Sequence, residues 1–127
     1  MLLEHAYSLV LRYIEAYERA DIDAVVAMFS SSAWIEDSAG APIHKGETDI
    51  AAFYRSNLVS ETKIVLKGPL RLLHGAAFMM ELEARSFVAG GLDVCSKVEI
   101  WRVDDAGLIV SRQAYWGPSD HYRVLPG

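Results

Sequence analysis

Two long β-rich segments, residues 76–88 and 92–103, follow one another across Ala89-Gly90-Gly91. A third, residues 108–116, follows the tight turn Asp104-Asp105-Ala106-Gly107. Short glycine-bearing turns between strand-like runs are hairpin connections, so the second half of the chain is confined to an antiparallel meander. Two shorter runs precede it, residues 62–67 ending at Gly68-Pro69 and residues 70–74 ending at Gly75. A sheet of this extent must bury one face against another layer.

The first sixty residues supply that layer. Leu2, Ala6, Leu9, Val10, Tyr13 and Tyr17 recur at three- and four-residue steps, with Glu4, Arg12, Glu15 and Glu18 mostly opposite. This periodicity predicts an amphipathic helix over residues 2–19. Asp21 can cap a second short helix with Ile22, Val25, Met28 and Phe29 on its apolar face. Ser30-Ser31-Ser32 reads as a break, and Trp34–Gly40 as a short strand entering a turn. Residues 39–46 read as a turn and return punctuated by Gly40 and Pro42. Thr48 can cap a third helix, with Ile50, Phe53, Tyr54 and Leu58 facing inward. Beyond Gly117-Pro118 the chain reads as a tail through Gly127.

No repeat, low-complexity segment or linker interrupts the 127 residues, which predicts one domain over 1–127. The expected class is α+β: three N-terminal helices packed on a strongly curved antiparallel sheet. Such a bend leaves a cone-shaped cavity suited to a small molecule.

Composition narrows the function. A 52% hydrophobic content rules against disorder. A net charge of −5 without a Lys/Arg stripe argues against nucleic acid. No apolar run approaches the ~20 residues of a membrane span. The start, Met1-Leu2-Leu3-Glu4-His5, lacks the basic and apolar regions of a signal peptide, so a cytoplasmic location is expected. Cys95 stands alone and forms no intrachain disulfide. His5, His44, His74 and His121 lack metal-ligand spacing, and no phosphate loop or nucleophile motif is present.

Three places hold chemistry-bearing side chains. Strand alternation puts Ala33, Ile35 and Asp37 on one face, so Asp37 keeps apolar company. It is either a turn residue bonding its own backbone before Ser38-Ala39-Gly40, or a base raised in basicity by a dry pocket. Tyr13 and Tyr54 lie on apolar helix faces, where a buried phenol needs a partner. They are core residues, or they donate to a developing oxyanion. In residues 92–103 one strand face holds Leu92, Val94, Ser96, Val98 and Ile100, the other Asp93, Cys95, Lys97, Glu99 and Trp101. Pattern alone turns the second set to water.

The runs Arg12–Glu15, Asp21–Phe29, Ile35-Glu36-Asp37, Pro42-Ile43-His44 and Ile50–Arg55 resemble bacterial Δ5-3-ketosteroid isomerases, as do Asp104–Ile109 and Gln113–Trp116. The resemblance covers nearly the whole chain, tightly over residues 12–55 and 99–116. It implies the cone-shaped α+β barrel of the nuclear-transport-factor-2-like (NTF2-like) superfamily and a homodimer. It also implies a cofactor-free proton transfer that converts a Δ5-3-ketosteroid to its Δ4 conjugated isomer through a dienolate.

By the same resemblance Asp37 is the general base and Tyr13 the main oxyanion donor, with Tyr54 bonded to the catalytic tyrosine. Phe53, Ala114 and Trp116 line the substrate pocket. The family's second oxyanion donor is an Asp kept protonated by its apolar site. Glu99 stands there here, turned inward against the polar-out pattern, and is expected to act as a protonated donor. Lys97 and Arg112 fall on the same strand faces as pocket residues, and a cation beside Glu99 would favour its ionised form. Those two cations motivate an alternative, a polyketide-cyclase- or dehydratase-like enzyme on a more polar carbonyl compound. A third possibility is a non-catalytic binding or dimerisation module.

Overall fold

A computed structural model describes residues 1–58 and 61–126 of the chain. The first helix, α1 (Leu3–Glu18), buries Ala6, Leu9, Val10, Tyr13 and Ala16 along one stripe. It stops where Ala20 takes a positive φ of 55°, a conformation that cannot continue a helix. Asp21 then caps α2 (Ile22–Val26) by accepting from the Ala24 amide at 3.1 Å, as the sequence predicts.

Two boundaries differ from expectation. The Ser30-Ser31-Ser32 break lies inside β1 (Phe29–Asp37), whose polar serines sit where the strand runs over the surface. Helix α3 (Gly46–Asn57) begins two residues before Thr48, directly after the short strand β2 (His44–Lys45).

The meander forms as predicted: β3 (Glu61–Leu66), β4 (Arg71–Leu73), β5 (Ala77–Val88), β6 (Gly91–Val103) and β7 (Ile109–Tyr115). Strand β1 joins its far edge parallel to β7, so the sheet is mixed. The spatial order is β2-β1-β7-β6-β5-β3, with β4 pairing β5. The three helices cover the inner face of this curved sheet, and Tyr54, Ile35, Phe78 and Trp101 are fully buried between the layers.

The predicted tail carries regular structure through Val124. A 3₁₀ turn, Pro118–Asp120, leads into β8 (His121–Val124), which pairs antiparallel with the start of β6. Gly91 permits that approach: its φ is 149°, and a Cβ there would lie 2.5 Å from the Val124 carbonyl oxygen. The last residue of the expected tail, Gly127, lies outside the described residues. No helix among the described residues is long and apolar enough to cross a membrane.

Candidate active site

Register builds the site. On the inner face Asp37, Ala114, Glu99 and Met80 form one row across β1, β7, β6 and β5. The neighbouring row is Ile35, Arg112, Trp101 and Phe78. Ala114, fully buried, is the small residue that separates the two carboxylates. Arg112, two residues earlier on the same face, extends its long side chain into the space left between them.

The result is a compact ionic cluster. Arg112 Nε and Nη2 donate to the two oxygens of Glu99, both at 2.8 Å. This paired, planar arrangement is the geometry that makes guanidinium–carboxylate pairs strong. Nη2 also donates to Asp37 Oδ2 at 3.2 Å. Lys97 Nζ donates to that same Oδ2 at 3.0 Å, and Trp116 Nε1 donates to Oδ1 at 2.7 Å. Trp101 Nε1 donates to Glu99 at 2.9 Å. Formal charges on Asp37, Glu99, Lys97 and Arg112 cancel.

Burial pushes both carboxyls upward, but the adjacent cations outweigh it. Arg112 and then Lys97 pull the Asp37 pKa down to about 2, assisted by the Trp116 indole. Glu99 is likewise held below the usual carboxylate range, chiefly by Arg112. Both are therefore ionised at neutral pH. The expectation of a protonated Glu99 donor is corrected here: the glutamate accepts three hydrogen bonds, and the reason is the guanidinium in front of it. The inward orientation of Glu99 stands, since it is 2% exposed and Trp101 is wholly buried. The polar-out pattern fails because the face that carries Lys97, Glu99 and Trp101 is the one the helices cover, where its charges are closed into ion pairs.

Tyr13 on α1 and Tyr54 on α3 meet hydroxyl to hydroxyl at 2.7 Å, fully inside the core. Burial raises the pKa of both phenols, so they are neutral donors. Asp37 is no turn-bonding aspartate, and the expected rise in its basicity is corrected too: Arg112 and Lys97 outweigh burial and lower it. Its side chain is 8% exposed, its partners are side chains, and it ends the buried Ala33–Ile35 face of β1. Phe53 lies with its ring 5.8 Å from the Arg112 guanidinium carbon. Trp116 is steadied by an edge-on contact with His121 of β8, so the structured tail helps to aim its indole at Asp37.

Lys97, Glu99, Arg112, Tyr13 and Tyr17 open onto a cavity whose other walls are apolar, among them Ile14, Ile64, Leu66 and Leu82. Asp37, Tyr54, Phe53, Ala114 and Trp116 do not line it; Asp37 lies behind Lys97 and Arg112, and the others pack behind or beside the ionic cluster. The cavity holds about 20 Å³, little more than the space of one water molecule. Larger open clefts, of about 390 Å³ beside the start of α1 and about 780 Å³ between α2 and α3, hold no member of the cluster, whereas one of about 250 Å³ beside Glu83, Tyr115 and Asp120 is lined by Lys97. Among the described residues no group of three His, Cys, Asp or Glu side chains is placed to hold a metal ion.

Lys97 and Arg112, which the sequence places on pocket-facing strand faces without a catalytic role, are the two cations of the cluster, and Arg112 is its centre. Its signal was present: it occupies the same face of β7 as Ala114, two residues away, and that face carries the pocket.

No family model matches the chain. The chain is 27% identical over 112 residues to a steroid Delta-isomerase of Nocardioides simplex, covering 87% of this chain and 89% of that protein. Among solved structures it is similar to SalBIII, an epoxide hydrolase/cyclase-like enzyme of pyran ring formation in the polyether salinomycin. The TM-score is 0.84 at 24% identity, over 93% of this chain and 95% of that one. The fold is the expected α+β cone of NTF2-like proteins, here with an open, mixed sheet.

Proposed function

We propose that the chain is a cofactor-free proton-transfer enzyme acting on a hydrophobic carbonyl compound, with Δ5- to Δ4-3-ketosteroid isomerisation as its reaction. One observation carries this reading: an ionised Asp37 shares the inner face with a neutral Tyr13–Tyr54 hydroxyl pair. The likeness to a steroid Delta-isomerase supports the substrate class.

The chemistry follows from lone pairs. Asp37 Oδ2 already accepts from Lys97 and Arg112, whereas Oδ1 accepts from Trp116 alone among the described residues. A carboxylate oxygen has two acceptor sites, so Oδ1 is the atom free to take a proton. It removes the proton at C4, the C–H electron pair passes into the dienolate, and negative charge gathers on the C3 oxygen. Tyr13, held by Tyr54, donates to that oxygen. The proton then returns from Oδ1 to C6. Substrate entry must part the walls of the small cavity, since sites for ligands of this size hold roughly 300 Å³ or more. The wall to move is the seam between α1 and edge strand β3, fastened by the Ile64 amide donating to Glu18 at 2.9 Å.

The test is conversion of 5-androstene-3,17-dione, followed by the ultraviolet absorbance of the conjugated ketone. Conversion with the transferred hydrogen retained in deuterium oxide is expected; no conversion by the wild-type chain overturns the reading. The family likeness also carries a homodimer, supported by apolar side chains left on the outer face, among them Tyr115, Tyr122 and Val124, 40–49% exposed. Sedimentation is expected to give twice the mass of the 127-residue chain.

A second reading is favoured by Lys97 and Arg112 inside the cavity walls. Two carboxylates sharing one guanidinium suit acid–base work on a polar oxygen substrate, as in a cyclase. Turnover of a polar keto compound with no turnover of steroid favours it.

A further inference from the structure

Arg112 leaves part of its donor set unused by the protein. Nε and Nη2 are engaged by Glu99 and Asp37, but Nη1 is buried and meets no acceptor among the described residues. The side chain is 94% buried and lines the cavity beside Tyr13. Buried polar groups are almost always satisfied, and an unpartnered charged N–H group on a side chain that lines a cavity is a donor waiting for an acceptor. Glu99, for its part, cannot donate while it holds the guanidinium.

We propose that Arg112, through Nη1, takes the donor role expected of Glu99 and together with Tyr13 forms an anion-binding oxygen site. The site selects carbonyl compounds that ionise to delocalised enolates, enolisable 1,3-dicarbonyl compounds above all, over saturated ketones with no activating group beside the acidic carbon. This rests on the proton-transfer reading above and deepens it.

The charge argument is direct. The cluster of Asp37, Glu99, Lys97 and Arg112 is formally neutral at rest. When Asp37 Oδ1 takes a proton from the carbon between two carbonyls, the C–H pair becomes the enolate and Asp37 becomes neutral. Negative charge thus leaves the partner of Nη2 and appears on the partner of Nη1. One guanidinium contacts the charge at both ends of its path, and no co-reactant is needed. A neutral donor pair already prefers the enolate to the ketone; a guanidinium adds a full positive charge to that preference and so favours the anion in the ground state as well.

The probe is a series of substituted phenols of graded acidity, with ultraviolet absorbance reporting whether the bound form is phenol or phenolate. Wild type is expected to favour bound phenolate by about tenfold or more, a shift of at least one pKa unit on binding. Asp37→Asn keeps that preference, because the base is not the binding group. The paired substitution Arg112→Met with Glu99→Gln, which removes both charges together, abolishes it. Tyr13→Phe weakens affinity and leaves the preference for the ionised form. Phenols bound neutral in wild type, phenols not bound at all, or equal ionisation in the paired variant each overturn the proposal. Steroid conversion alongside neutral phenol binding removes the anion site alone. Phenolate binding without conversion of any carbonyl compound removes the proton-transfer reading instead.

Discussion

Asp37→Asn lowers the rate of isomerisation by roughly 10³-fold, within the range of about 10²–10⁴ that a positioned base supplies. That loss corresponds to about 4 kcal/mol of barrier. The change is nearly isosteric, so circular dichroism should report an unaltered fold. The amide oxygen can turn toward Lys97 and Arg112, which face Oδ2 in the wild type, but the amide nitrogen then meets the Trp116 donor. One mismatch of this kind, together with loss of one charge from a neutral cluster, costs about 1–3 kcal/mol of stability. Activity therefore falls far more than stability does. Full activity in the variant removes Asp37 from the mechanism. The pH profile offers a further check. Because the neighbouring cations hold the free carboxyl near 2, kcat/KM should stay flat on its acid side down to about pH 4. Lys97→Met takes away one of those cations, so the acid limb moves to higher pH and becomes visible. A limb at the same pH in both proteins contradicts the assigned base.

The fold was legible in the chain because its signals are local. The three- and four-residue steps of α1, the Asp21 cap and the glycine turns of the meander each act within a few residues. What escaped is non-local. The parallel placement of β1 beside β7 is decided by packing across the sheet, not by any turn, and pattern gives no sign of it. The tail strand β8 is too short to announce itself, yet Gly91, which leaves room for Val124, is half of its explanation. The site divides in the same way. Asp37 was visible by alternation as a carboxylate in apolar company. Tyr13 and Tyr54 were visible as phenols on buried faces. The protonation state of Glu99 was half visible: Lys97 and Arg112 could be placed on pocket-facing strand positions, but whether a guanidinium ends against Glu99 across the β6–β7 hairpin depends on register and side-chain reach. Register resolves it: with Ala114 opposite both carboxylates, Arg112 has space between them and neither stays protonated.

Arg112→Met unfolds the protein more readily than any other single change at the site. Removing one partner from a buried ion pair leaves the other charge without compensation, which costs about 3–5 kcal/mol. Glu99, 3% exposed in its side chain, would keep only the Trp101 indole as donor among its present partners. For a domain of this size the loss corresponds to a fall of roughly 10–20 °C in Tm. Adding Glu99→Gln removes the stranded charge, and the paired variant should recover about 2 kcal/mol relative to the single one, a coupling that a double-mutant cycle isolates. The pH dependence changes sign as well. In the wild type the folded-state pKa values of Asp37 and Glu99 lie below their unfolded values. Their stabilisation is therefore present above about pH 4 and is lost as pH falls toward 2. In Arg112→Met the buried Glu99 titrates above its unfolded value, so the folded state binds the extra proton and the variant gains stability as pH falls from 7 toward 5. Urea melts at pH 7 and pH 5 read both slopes. A single variant as stable as wild type at pH 7, with the same slope, would show that Arg112 does not hold the two carboxylates ionised.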